Sequence, residues 1–288
     1  MAVRPRLRGA ALLGAAPFLV YVAIFLIIPT LVVTIGAFTG DGGHGFTLDN
    51  VRALGDEYIL AAFGRSALLS ALSALFGAVF GALLAYALST AKPGGLLRRT
   101  VTAASGVLAQ FGGVTLAFAF LATIGISGFV TVWLQEHAGV DIYANGVWLF
   151  ELPGLTLVYT YFQIPLMVIV FLPALDGIRP QWREATENLG GTTWQYWTRV
   201  AGPLLAPAFL GSALLLFANA FSAYATAAAL VSQGNPIIPL QIRGALTSEV
   251  VLGQANLGKA MALGMVVVVA VVMTLYSLLQ RRTARWLG

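Results

Sequence analysis

The 288 residues contain no cysteine and only two histidines, His44 and His137, which stand far apart in polar stretches. A disulfide framework, a thiolate nucleophile and a cysteine metal site are thereby excluded, and zinc chemistry is left without a ligand cluster. Charge is also scarce: 9% of the residues are Asp, Glu, Lys or Arg, against roughly 25% in a soluble domain. Too little polar surface remains to coat a water-facing globule. The chain has instead 59% hydrophobic residues and a mean hydropathy of +0.87, so its solvent is largely lipid. A hydrocarbon core of about 30 Å needs roughly 20 helical residues per crossing. The length therefore allows about six crossings with short connections and no sizeable domain outside the membrane.

Lipid offers a bare backbone no hydrogen-bond partner, so each long apolar run should be a helix. Six runs occur, at residues 10–38, 59–90, 101–124, 153–175, 204–230 and 259–280. They predict an all-α, polytopic membrane protein with six transmembrane helices. The first run exceeds the apolar core of a cleavable signal peptide and reads as a retained span. The second carries Gly77 and Gly81, a spacing that lets another helix backbone approach closely.

Orientation follows from the cations, which collect in cytoplasmic segments. Arg4, Arg6 and Arg8 precede the first run; Lys92, Arg98 and Arg99 follow the second; Arg179, Arg183 and Arg199 follow the fourth; Arg281, Arg282 and Arg285 follow the sixth. Both termini are then expected in the cytoplasm, with Asp41, Asp49, Asp56, Glu57, Glu136, Asp141, Glu151 and Glu249 on the opposite side. The net charge of +5 arises in this way. Cations spread over separate membrane-flanking segments make no single basic face for nucleic acid. The expected division is residues 1–58 (cytoplasmic start, first span, external loop), 59–282 (helical core) and 283–288 (cytoplasmic tail).

The segment between the fourth and fifth runs, residues 176–203, has the signals of two short helices. Pro180 suits a first helical turn, where its missing donor costs nothing. Gly190 and Gly191 supply the terminus, because glycine accepts a left-handed conformation. Thr192 followed by Gln195 reads as a capping box opening a second helix, and Pro203 marks the start of the fifth span. Such a bent, rigid projection is a lever, and a lever implies a partner.

Glu184, Ala185, Gly190, Val200 and Pro203 fall at the spacing of the EAA loop, so the chain resembles the permease subunits of binding-protein-dependent ABC importers, the EAA-loop or MetI-like family. That family's pattern is Glu-Ala-Ala, three residues, Gly, nine residues, Ile, one residue, Leu-Pro; this chain departs with Thr186, Val200 and Gly202. Gly202 is expected to loosen the join between the loop and the fifth span. The resemblance covers residues 59–282, with the first span as an added N-terminal helix. It implies two cytoplasmic ATPase subunits gripping the loop, a second permease subunit, an external substrate-binding protein and a prokaryotic inner membrane. It also implies no catalysis and no cofactor in this chain, with ATP and magnesium bound by the ATPase. Taken singly, Glu184 is an ordinary solvated carboxylate; the spacing makes it a coupling residue with Ala185, Thr186, Gly190, Val200 and Pro203. Trp182, Trp194, Tyr196 and Trp197 read equally as interfacial anchors or as docking groups.

Gly253 to Lys259 imitates a phosphate-binding loop, but Ala260 replaces the required Ser or Thr and no strand precedes it. No hydrolase elbow or zinc-protease pair occurs. Charged residues inside the runs are nearly absent, which weakens the alternative of an ion-coupled carrier or channel without an ATPase. Polar groups do remain there: Gln110, Tyr159, Tyr161, Gln163, Asn219, Ser222, Tyr224 and Thr226. They line a candidate pathway or bond neighbouring helices, and Pro165 beside Gln163 is expected to kink the fourth helix. The phrases 221–226 and 172–180 look like the spermidine and putrescine branch, giving a polyamine as candidate substrate. Iron, thiamine, sulfate and aminoethylphosphonate permeases look similar.

Overall fold

The computed structural model describes residues 7–40, 45–92, 94–231, 237–247 and 255–287. Arg4, Arg6, Asp41, His44, Glu249 and Gly253 lie outside the described residues. In chain order the helices are α1 (7–37), α2 (Glu57–Ser89), α3 (Leu96–Leu108), α4 (Gly113–Ile124), α5 (Phe129–Ala138), α6 (Leu152–Asp176), α7 (Pro180–Asn188), α8 (Thr193–Ser222), α9 (Ala225–Leu230), α10 (Ile238–Thr247) and α11 (Ala255–Leu287). Among the described residues the only β pairing is an isolated bridge between Thr39 and Phe46. Six segments are long and apolar enough to cross a membrane: Ala15–Ala37, α2, Gly113–Ala138, α6, α8 and Ala255–Leu278. The chain is a polytopic helical membrane protein, as its hydropathy requires.

Contacts divide the chain into two compact units, residues 1–60 with 241–266, and residues 61–240 with 267–288. In the first unit α1 passes through a π turn at Ala23–Ile27, just before Pro29, whose missing N–H removes one bond of the ladder. The carbonyls past its C-terminus are closed by side-chain amides. Asn50 Nδ2 donates to Thr39 O at 2.9 Å, and Asn256 Nδ2 donates to Thr39 O at 3.0 Å and Gly40 O at 3.1 Å. Lys259 Nζ donates to Asn256 Oδ1 at 2.9 Å, and its methylenes occupy the place where Gly36 would carry a Cβ. This unit therefore uses part of the phosphate-loop look-alike to close a helix end.

In the second unit α6 is the central element. Its sequence is apolar all round, the pattern of a helix enclosed by others, and 61% of its crossing is buried against 39% for α2 and 28% for α8. Tyr159 and Phe162 join one core cluster with Leu69, Leu116 and Leu155; Met167, Val168 and Phe171 join another with Ala78 and Leu216. The Gly77 and Gly81 spacing works as expected, since a Cβ on Gly77 would strike Gln163 and one on Gly81 would stand 2.5 Å from Met167 Cβ. Pro165 does not interrupt α6, which is helical from Leu152 to Asp176.

The third apolar run differs from its expected form. Residues 101–124 are not one helix: α3 ends at Leu108, and α4 begins at Gly113 after an extended Gly112. Gly113 has φ +72°, a conformation costly for any side chain, and the glycine pair lets the chain turn. The apolar segment Gly113–Ala138 joins α4 to α5 across a second break at 125–128, where Thr131 Oγ1 donates to Gly125 O at 2.8 Å. The fifth run is also interrupted, because α8 stops at Ser222 and Ala223 is extended before α9.

Candidate functional site

The bent segment after α6 is specified almost bond by bond. Pro180 is the first residue of α7. At its other end Gly191 N donates to Thr186 O at 2.8 Å and Gly190 N to Glu187 O at 2.9 Å, with Gly190 left-handed at φ +76°. These two bonds make a Schellman terminus. A Cβ on Gly191 would lie 2.6 Å from Thr186 Cγ2, so Thr186 packs the bend. The capping box follows: Thr192 N donates to Gln195 Oε1 at 2.8 Å, and Gln195 N donates to Thr192 Oγ1 at 3.3 Å.

From that box the chain does not pause. Thr193–Tyr196 continues through a π turn at Trp197–Ala201 into Gly202–Ser222, one helix of 30 residues. Gly202, expected as a loose join, is helical at φ −58°, ψ −56°, and a Cβ there would collide with the Trp197 carbonyl oxygen. The residue that departs from the family pattern is the one the π turn fits.

Glu184 and Ala185 are exposed, as is Pro203, while Val200 and Thr186 are half-buried. The exposed face includes two large apolar groups, Leu189 at 89% and Trp194 at 76% exposure. Of the aromatics in this segment, Tyr196 is buried and Trp197 stands edge-on to Tyr86 with ring centroids 5.3 Å apart, so these two serve packing. Arg183 Nε bonds Glu187 Oε1 at 2.9 Å, and that carboxylate pushes the guanidinium further above its ordinary range.

At the other end of α8 lies a cavity of about 320 Å³. Gln110, Asn219, Ser222 and Tyr224 line it with Thr226 and Phe162. Both helix interruptions meet here. Gly113 N donates to Thr226 Oγ1 at 2.9 Å, tying the start of α4 to α9. Tyr159 Oη donates to Ala223 O at 2.7 Å, holding the extended residue in place. Among the described residues no Asp, Glu, Lys or Arg lines this cavity; it offers amide, hydroxyl and backbone groups.

The remaining pathway candidates lie off this lining. Tyr159 is fully buried and supports the wall from behind. Gln163 is fully buried, with Nε2 donating to Leu216 O at 2.8 Å and Oε1 without a partner. Tyr161 lies outside the lining and packs edge-on against Phe120. Two features escaped the sequence reading. Arg65, inside α2, lines a separate recess with Glu151, and Arg98 of α3 is ion-paired with Asp176 at the end of α6.

Residues 142–287 match the family model described as "Binding-protein-dependent transport system inner membrane component". The sulfate transport system permease protein CysT of Escherichia coli (strain K12) is 29% identical over 60% of this chain and 58% of its own length. The ferric transport system permease protein FbpB of Actinobacillus pleuropneumoniae is 28% identical over 67% of this chain and 27% of its own. The match thus spans well under two thirds of these relatives. In fold, the chain is similar to a bacterial ABC transporter involved in the import of the acidic polysaccharide alginate, at TM-score 0.72, 21% identity and 97% coverage of both chains. It is also similar to the MetNI methionine ABC transporter, at TM-score 0.57, 16% identity and coverage of 79% of this chain and 99% of that one.

Proposed function

Because the chain belongs to the family of binding-protein-dependent transport system inner membrane components, we propose that it is a permease subunit of an ATP-driven importer. Residues 176–203 are the lever gripped by a cytoplasmic ATPase, and the cavity at the end of α8 is part of the solute route. The observation that carries this reading is the single helix Thr193–Ser222, which joins the bend at Gly190 to the wall at Asn219 and Ser222. At 1.5 Å per residue it is about 45 Å long, so the lever and the cavity wall lie on one continuous helix.

Glu184 and Ala185 meet the ATPase directly, with exposed Leu189 and Trp194 adding apolar area; Thr186, Gly190, Val200 and Pro203 hold the shape. Hydrolysis, ATP and magnesium belong to two partner subunits, and a second permease and an external binding protein complete the assembly. The arginine clusters then put both termini in the cytoplasm of a prokaryotic cell, with residues 59–282 as the permease core. Relatives named for sulfate and ferric iron, and an uncharged cavity lining, give the polyamine candidate no particular support. The solute class that suits this lining is polar, with selection resting mainly on the binding protein.

The test is copurification with the ATPase, with uptake of radiolabelled sulfate, thiamine, ferric iron and spermidine by vesicles. Glu184→Lys and Gly190→Val should each lower ATPase recovery about tenfold, equivalent to roughly 1.4 kcal/mol, and abolish ATP-dependent uptake of whichever solute the unaltered complex carries. Unchanged recovery and uptake in both variants would overturn the coupling role. Uptake by the unaltered chain without any ATPase would favour an ion-coupled carrier.

A further inference from the structure

The two walls of the cavity are reached by different helices. Asn219 and Ser222 end α8, but Ala109, Gln110, Gly112 and Gly113 follow α3, which is not continuous with the lever. That wall is held at its far end by the Gly113 N to Thr226 Oγ1 bond and along its length by packing of α3 on α6, with Val101 against the core. Arg98 and Asp176, 78 positions apart in sequence, add a charged link between the start of α3 and the root of the lever.

Arg98 Nη2 bonds Asp176 Oδ2. Asp176 is the last residue of α6, four positions before Pro180 opens the lever helix, and Arg98 is the third residue of α3. Each charge stands at the wrong end of its own helix. The carboxylate faces the negative pole of α6 and the guanidinium the positive pole of α3, arrangements that a helix dipole disfavours. Neither helix would select these residues for its own stability. Across the two helices the same placement becomes favourable, because each charge relieves the other and the opposing pole beside it. The pair is also more sheltered than a surface contact on the arginine side, with Arg98 19% and Asp176 40% exposed. From Arg98 to Ala109 the helix spans about 16 Å, ending at the cavity wall.

We propose that Arg98 and Asp176 are a positioning pair that fastens α3 to the root of the lever, so that residues 109–113 move together with it. The cavity is then driven on both sides, through α8 from the tip of the lever and through α3 from its root. This inference rests on the importer reading above.

Because the chain is free of cysteine, the two walls can be probed separately. Gln110→Cys and Ser222→Cys are made singly, and the assembled complex is labelled with a membrane-impermeant maleimide without nucleotide and after trapping with ATP and vanadate. Trapping should change the labelling rate at both positions by about fivefold. Adding Arg98→Asp or Asp176→Arg should remove the response at Gln110→Cys and preserve it at Ser222→Cys. The exchange Arg98→Asp with Asp176→Arg, and the conservative Arg98→Lys, should restore it. A response at Gln110→Cys that survives either single charge change, that vanishes at both walls together, or that is not restored by the exchange in a complex retaining its ATPase, overturns the proposal. Absence of any nucleotide response at either wall of the otherwise unaltered complex overturns the importer reading, and the pairing role with it.

Discussion

At the residue scale, glycine at position 202 shows how a departure from a pattern can be a local fit. The π turn at Trp197–Ala201 brings the Trp197 carbonyl to the place where residue 202 would carry a Cβ. Gly202→Leu, which restores the family pattern, should therefore unwind the turn and lower stability by roughly 1 to 3 kcal/mol, the usual cost of overpacking. Thermal unfolding of the purified chain in detergent checks this; an unchanged midpoint would mean that the turn accommodates the side chain. The capping box at Thr192 and the left-handed Gly190 were legible in the sequence because their bonds span no more than a few residues. The Gly202 contact was not, since it depends on one extra residue in a helical turn that no composition rule predicts. Gln163, a polar residue in an apolar run, was legible as a pathway candidate, whereas its bond from Nε2 to the Leu216 carbonyl, 53 positions away, was not.

Among elements, the six crossings were legible because hydropathy is summed over some twenty residues and tolerates local error. The breaks were lost in the same averaging. Gly112 and Gly113 are flanked by apolar residues, so the window passed over the turn that separates α3 from α4, and likewise over Ala223 beyond α8. Pro165 drew attention as the site of a kink, and α6 stays helical through it, as membrane helices do when neighbours satisfy the freed carbonyl. The close approach of α2 and α6 at Gly77 and Gly81 was readable from spacing alone. Gly81→Leu should force the two helices apart, because Met167 Cβ and the Ile164 carbonyl oxygen stand 2.5 and 2.7 Å from the added Cβ. The expected result is a destabilisation of about 2 kcal/mol or more and a marked fall in the yield of folded protein by size-exclusion chromatography. Wild-type yield and melting would show the packing to be slack.

For the molecule as a whole, the bent segment at 180–203 was legible in the sequence, but its continuity with the cavity wall was not. Residues 180–203 and the cavity lining at 219–226 are joined by one helix, a relation that appears only when the π turn is seen to continue the helix rather than end it. The opposite wall, at 109–113, lies far from the lever in sequence, and the cross-helix pair of Arg98 and Asp176 joins the start of its helix to the lever's root. Long-range pairs of this kind leave no periodic trace. Asn256 and Lys259 are another case: within the failed phosphate loop, Asn256 closes the end of α1 through bonds to Thr39 and Gly40, more than 200 positions away, and Lys259 bonds Asn256.

The most direct measurement is a pair of electron spin distances in the assembled complex, one along α8 with labels at Trp194→Cys and Ser222→Cys, one across the cavity at Gln110→Cys and Ser222→Cys. A rigid helix of 28 steps predicts about 42 Å for the first, unchanged between the nucleotide-free and vanadate-trapped states, while the second shifts by several ångströms on the scale of helix movements in such switches. A first distance that shortens or broadens on trapping, or a second that stays fixed, would contradict the transmission of force from lever to cavity.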